Sequence, residues 1–159
     1  MPTLLALAIG AWGIGWVINL WRAHPLPFPY ADAAQRLQTS VAALPHSPSP
    51  PAAVQYLTAA QVAAPPPGIT YLPLDARSPM FFQAGHLPGA LSLPRQSFAE
   101  AYPRLQPALA DKALPLVVYC QGGECTDSAL VAQSLLQLGH RQVFVLVGGW
   151  EAWQTLTPP

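Results

Sequence analysis

Residues 116–139 read LVVYCQGGECTDSALVAQSLLQLG. A run of branched apolar residues stops at Cys120, two adjacent glycines turn the chain, and SALVAQSLLQL carries helix-forming composition up to Gly139. A buried strand that passes through a tight loop into a helix is the repeating unit of a parallel α/β sheet. Cys120 therefore stands at the carboxyl end of a strand. In an open α/β sheet, that is the edge where ligands bind.

Working outward, three more segments have the same character: ITYLPLD at 69–75, ALSLP at 90–94 and QVFVLV at 142–147. With LPLVVYC at 114–120 they predict four short buried strands. The intervening SPMFFQAG, RQSFAEAYPRL, TDSALVAQSLLQLG and GWEAWQTL are read as helices and turns covering both faces. Upstream, Thr58 is placed to cap a short helix AAQVAA that Pro65-Pro66-Pro67-Gly68 stops. The fold class expected over residues 53–157 is an open α/β sandwich on a parallel sheet.

The rest of the chain is different. From Met1 to Trp21 no side chain is charged, and the nineteen residues TLLALAIGAWGIGWVINLW end at Arg22. At ~1.5 Å per residue they reach ~30 Å, the thickness of a bilayer's hydrocarbon core, so a single transmembrane helix is expected over 1–22, with residues 4–21 in lipid. A cleaved signal peptide fits less well, because the basic start is missing and Ala31-Asp32-Ala33 lies ten residues beyond the apolar run. Arg22 and Arg36 follow the segment and no Lys or Arg precedes it, which predicts a single-pass protein with its C-terminal body in the cytoplasm. Residues 23–52 hold seven prolines and are expected to be an extended linker. Within it, ADAAQRLQTSVAAL places Ala33, Leu37, Val41 and Leu44 on one helical face, near the membrane or on the body.

Of 159 residues only seven are Lys or Arg and seven Asp or Glu, for zero formal net charge, while 52% are apolar. Such a composition argues against disorder, and with no basic stripe nucleic acid is excluded as a partner. The two cysteines, Cys120 and Cys125, lie five residues apart and point to local chemistry instead of a disulfide framework. Gly122 and Gly123 let backbone amides turn toward the Cys120 sulfur, and the following helix adds the partial positive charge of its N-terminus. Both effects favour thiolate, which makes Cys120 the candidate nucleophile.

Several motifs in order resemble the rhodanese-like sulfurtransferases over roughly residues 53–157. Asp75-Ala76-Arg77 is similar to the family's Asp-x-Arg motif, and Gly85-His86-Leu87-Pro88-Gly89-Ala90 to its Gly-His-x-Pro-Gly-Ala segment. Val118-Tyr119-Cys120 with its six-residue loop resembles the active-site strand, and Gly148-Gly149-Trp150 with Trp153 the closing helix start. The resemblance implies a catalytic Cys120 that accepts sulfane sulfur from a small donor as a persulfide and passes it to a thiol or other thiophilic acceptor. It implies a substrate-binding loop of Gln121, Gly122, Gly123, Glu124, Cys125 and Thr126, with Asp75, Arg77 and His86 in support. No cofactor and no metal are expected.

The loop departs from the family pattern where Arg or Lys often meets an anionic donor. Glu124 stands there instead and would repel thiosulfate. Cys125 has three readings: a second sulfur carrier, a resolving thiol that pairs with Cys120, or a small residue packed in the loop. Asp75 is expected to accept bonds that hold neighbouring loops, Arg77 to pair with a carboxylate, and His86 to donate one structural hydrogen bond. Thr126 and Asp127 are candidate N-caps, and Trp150 and Trp153 are read as packing residues. A cysteine phosphatase is discounted, since no arginine lies between Cys120 and Arg141 to stabilise a phosphoryl transition state. A non-catalytic or redox-sensing module built on a Cys120/Cys125 dithiol is the remaining alternative.

Overall fold

The computed structural model describes residues 33–44, 53–123 and 125–156. The expected transmembrane segment at 1–22 lies outside them, and among the described residues no helix is long and apolar enough to cross a membrane. The described body is built on one parallel sheet. In chain order its elements are α1 (Ala33–Ala42), β1 (Gln55–Leu57), α2 (Ala59–Ala63), β2 (Leu72–Asp75), α3 (Pro79–Ala84) and β3 (Leu91–Ser92). A 3-10 turn at Arg95–Ser97, α4 (Phe98–Leu105), β4 (Leu116–Tyr119), α5 (Asp127–Gln137), β5 (Val143–Leu146) and α6 (Gly149–Leu156) follow.

The strand order is β1-β5-β4-β2-β3, every neighbouring pair parallel. All four expected strands form. β1 was not foreseen: its three residues, Gln55-Tyr56-Leu57, are too few and too polar at the start to stand out, and they become a strand by pairing with Phe144, Val145 and Leu146. Thr58 caps α2 as expected, with a reciprocal box in which Gln61 reaches back to the Thr58 amide at 2.8 Å.

The central strand β4 shows how the two faces are made. Leu116 and Val118, with Cys120 beyond the strand end, point into one core together with Phe98, Tyr102, Val131 and Leu135 from α4 and α5. Val117 and Tyr119 point into the other, against Leu87, Leu146, Trp150 and Trp153. This two-residue alternation fixes which face the cysteine joins. The helix-forming segment of the proline-rich stretch also lies on the body: Leu37 and Val41 of α1 are buried in the first core, and Leu44 packs against it.

The chain from β2 crosses to β3 on one side and the chain from β4 crosses to β5 on the other. β2 and β4 are adjacent, so the switch point of the sheet falls between their carboxyl ends, where Asp75 and Cys120 emerge.

A second polar cluster sits among the helices. His140 is buried, Lys112 Nζ donates to its Nε2 at 3.0 Å and to the Tyr102 hydroxyl oxygen at 2.7 Å, and Tyr102 Oη lies 3.0 Å from the same nitrogen. Burial, and then the Lys112 charge, lower the His140 pKa from 6.5 to about 4. Unfolded chain takes up a proton near 6.5 while the folded chain does not until about 4. This contribution is therefore complete above pH 6.5 and drains as pH falls through that window. The denaturant midpoint of the wild type is expected to drop between pH 6.5 and about 4, and His140→Phe to show a shallower drop. Parallel pH profiles would contradict the assignment.

Candidate active site

Cys120 leaves β4 directly into its loop, and the start of α6 holds that exit. The Trp150 amide donates to the Cys120 carbonyl at 2.8 Å and the Glu151 amide to the Gln121 carbonyl at 3.0 Å. So close an approach requires glycine at 149, where φ is +53° and a Cβ would collide with the Cys120 carbonyl oxygen. Gly122, at φ +129°, would drive a Cβ to 2.6 Å from the Gly148 carbonyl oxygen.

The other side of the loop is held by Arg77, which is 5% exposed. Its Nη2 donates to Asp75 Oδ2 at 2.7 Å and its Nε to Asp75 Oδ1 at 3.0 Å, while the Arg77 amide donates to the same Oδ1 at 2.9 Å. The remaining donors reach the Gly85 carbonyl at 2.6 Å and Gln121 Oε1 at 3.3 Å, and the guanidinium lies 4.8 Å from the Trp150 ring centroid. One buried cation thus joins β2, the turn after α3, the cysteine loop and α6. Gln121 passes the link on, its Nε2 donating to Glu151 Oε1 at 3.3 Å.

Cys120 and Cys125 are disulfide-bonded, with their Cα atoms 6.5 Å apart. The Cys125 amide donates to the Gly122 carbonyl at 3.2 Å, closing the turn. Cys120 is 3% exposed, whereas Cys125 is only partly buried. The polar neighbours of Cys120 Sγ are the Cys125 carbonyl oxygen at 3.3 Å and Ser128 Oγ at 3.4 Å. A disulfide sulfur has no proton to give, so the Ser128 hydroxyl is the donor. Here the structure differs from expectation: no described backbone amide contacts the sulfur, because the Cys125 amide is spent within the turn and Cys125 itself fills the loop.

The other expected residues fall as follows. Gln121, Gly122, Gly123 and Cys125 are in the loop around Cys120, and Glu124 lies outside the described residues. Thr126 occupies the N-cap position of α5 but its hydroxyl makes no capping bond, since its backbone is already near-helical there. Asp127 pairs with Arg95. His86 makes its one bond within its own turn, Nδ1 donating to the Phe82 carbonyl at 2.9 Å, and stacks on the Phe82 ring. Tyr119, whose phenol burial pushes up, receives the Leu87 amide at 3.1 Å and steadies the same segment. Among the described residues no three His, Cys, Asp or Glu side chains gather as a metal site.

Two contributors went unrecognised in the sequence. Ser128 follows Thr126 and Asp127, three polar residues at a helix start, and only the helical phase shows which one faces the sulfur. Glu151 meets the loop only because the glycine pair brings α6 against it, a long-range contact that no local pattern announces.

The described residues form an open α/β domain with a strand-end cysteine at the switch point of its sheet. The rhodanese-like domain family matches residues 58–156, and the chain belongs to that family. The thiosulfate sulfurtransferase GlpE of Pseudomonas aeruginosa is 35% identical over 85 residues, covering 54% of this chain and 71% of that protein. The solution structure of the rhodanese-like domain of Anabaena Alr3790 superposes with a TM-score of 0.52 at 25% identity, over 67% of this chain and 78% of that one. Saccharomyces cerevisiae Ygr203w, described as a homologue of single-domain rhodanese and the Cdc25 phosphatase catalytic domain, shares the fold at a TM-score of 0.54 and 19% identity, over 65% of this chain and 81% of its own.

Removing the cation from the buried pair strands a carboxylate. Arg77→Met is expected to lower unfolding free energy by ~3–5 kcal/mol, whereas Asp75→Leu/Arg77→Met recovers much of it. Equilibrium denaturation checks both, and a loss below ~1 kcal/mol in the single variant would contradict the role of the pair.

Proposed function

We propose that the protein is a sulfurtransferase in which reduced Cys120 takes sulfane sulfur from a small donor and hands it to a thiol or other thiophilic acceptor. The carrying observation is the position of Cys120, at the strand end between the adjacent carboxyl termini of β2 and β4 and ahead of the α5 N-terminus. Membership of the rhodanese-like family and the likeness to a thiosulfate sulfurtransferase support the same reading. In the transfer, the Cys120 thiolate attacks the sulfane sulfur of the donor, the donor's S–S or S–sulfonyl bond breaks with its electron pair, and Cys120 is left as a persulfide. An acceptor thiol or cyanide then attacks the outer sulfur and restores the thiolate.

Donor charge follows from the loop. Gln121 and Gly123 bring no cation, Arg77 is committed to Asp75, and the carboxylates of Glu124 and Glu151 belong to the loop and its neighbour. This balance favours a singly charged or neutral donor over the thiosulfate dianion. A phosphatase reading lacks the cation that phosphoryl transfer needs, because Arg77 is turned to Asp75 and the loop holds none. A second reading, a redox-sensing module, is favoured by the Cys120–Cys125 disulfide. We also propose that the charge-free stretch at 4–21 tethers the domain to a bilayer, on the strength of its length and hydropathy.

With an aryl thiosulfonate as donor, cyanide as acceptor and a dithiol present to keep the cysteines reduced, thiocyanate should form catalytically. Cys120→Ser should reduce the rate to the uncatalysed background while the melting temperature stays within a few degrees. Undiminished turnover by Cys120→Ser would remove the proposal.

A further inference from the structure

We propose that Cys125 resolves the Cys120 persulfide, so that the same site reduces sulfane sulfur to free sulfide and closes the Cys120–Cys125 disulfide. This second activity rests on the reading of Cys120 as sulfur acceptor. Four features of the site carry it. The two cysteines are bonded through their Sγ atoms, so Cys125 reaches the inner sulfur of a Cys120 persulfide, the atom that must be attacked to expel sulfide. The backbone is already shaped for this, since the 6.5 Å Cα separation falls within the ~4.4–6.8 Å usual for disulfides and the turn is closed by the Cys125 amide. Ser128 Oγ lies 3.4 Å from Cys120 Sγ, where its proton can stabilise that sulfur as a leaving thiolate when the disulfide is opened. Lastly, Cys125 is the more exposed partner, so an outside thiol meets Cys125 first and Cys120 is the sulfur released.

The steps balance as the Cys120 persulfide plus the Cys125 thiol giving the disulfide plus hydrogen sulfide. The Cys125 thiol gives up its proton and its sulfur attacks Cys120 Sγ. The bond from Sγ to the sulfane sulfur breaks, and its electron pair leaves with that sulfur as hydrosulfide, which takes the proton. Two thiols are oxidised to a disulfide while one sulfane sulfur is reduced to sulfide. A dithiol reductant completes the cycle: one of its thiolates attacks Cys125 and expels the Cys120 thiolate, and its second thiol closes its own disulfide and frees Cys125.

The test uses the full chain, reduced and freed of reductant, mixed with one equivalent of an aryl thiosulfonate, whose by-product is a sulfinate and not sulfide. Wild type is expected to release one equivalent of sulfide with no added thiol and to end two hydrogens lighter by intact mass. Cys125→Ser, and Cys125→Ala as a second variant, should gain the mass of one sulfur and release no sulfide until a dithiol is added. Wild type that keeps the added sulfur, or variants that release sulfide as wild type does, would overturn the inference and leave the transfer reading standing. If no protein gains sulfur or releases sulfide, the acceptor reading fails and this inference with it.

Discussion

The loop that carries Cys120 depends on a buried ion pair whose remaining bonds go to the frame around it. Arg77 and Asp75 are both withdrawn from water, and so deep a charge pair persists only when its remaining hydrogen-bonding capacity is taken up. Here the capacity is taken up by the Gly85 carbonyl, by Gln121 and by the face of Trp150. The carboxyl end of β2 is thereby locked to the loop that leaves β4 and to the helix that closes the sheet. The loop is also tethered by the amides of Trp150 and Glu151 on the carbonyls of Cys120 and Gln121, and by Gln121 on the Glu151 carboxylate. The first residues of the loop are thus held from both sides.

The alternation of β4 sends Cys120 to the α5 face, beside Ser128, and away from Arg77, which packs toward Tyr119 and Trp150 on the other face. The framing bonds and the cysteine sulfur thus lie on opposite sides of one strand. This division explains why Asp75, Arg77 and His86 work as scaffold: His86 is occupied by Phe82, and Arg77 by its carboxylate. The Cys120 sulfur is left with the Ser128 hydroxyl, the Cys125 carbonyl and the bonded Cys125 sulfur for company.

Much of this was legible in the sequence, for identifiable reasons. Strands β2 to β5 are short runs of branched residues bounded by turns, and their apolar character is local. The motif residues around Asp75, His86, Cys120 and Gly148 carried the family and made Cys120 the candidate nucleophile. β1 was invisible because Gln55-Tyr56-Leu57 takes its strand character from β5 and not from its own composition. α1 could be seen as an amphipathic helix, but that Leu37 and Val41 enter the main core depends on α4 and α5, far along the chain. Three roles for Cys125 were open from spacing alone, since a five-residue separation permits pairing without requiring it. The choice among them depends on the turn made by Gly122 and Gly123, a matter of backbone geometry.

The proposed transfer rests on one atom, the Sγ of Cys120, as the first acceptor of sulfur. The most direct test is to treat reduced wild-type protein with an excess of sulfur donor, trap every thiol and persulfide by alkylation within the mixing time, and locate the added sulfur by peptide fragmentation. One extra sulfur is expected on Cys120 at the earliest time, ahead of any disulfide. Added sulfur found first on Cys125, or on neither cysteine, would contradict it.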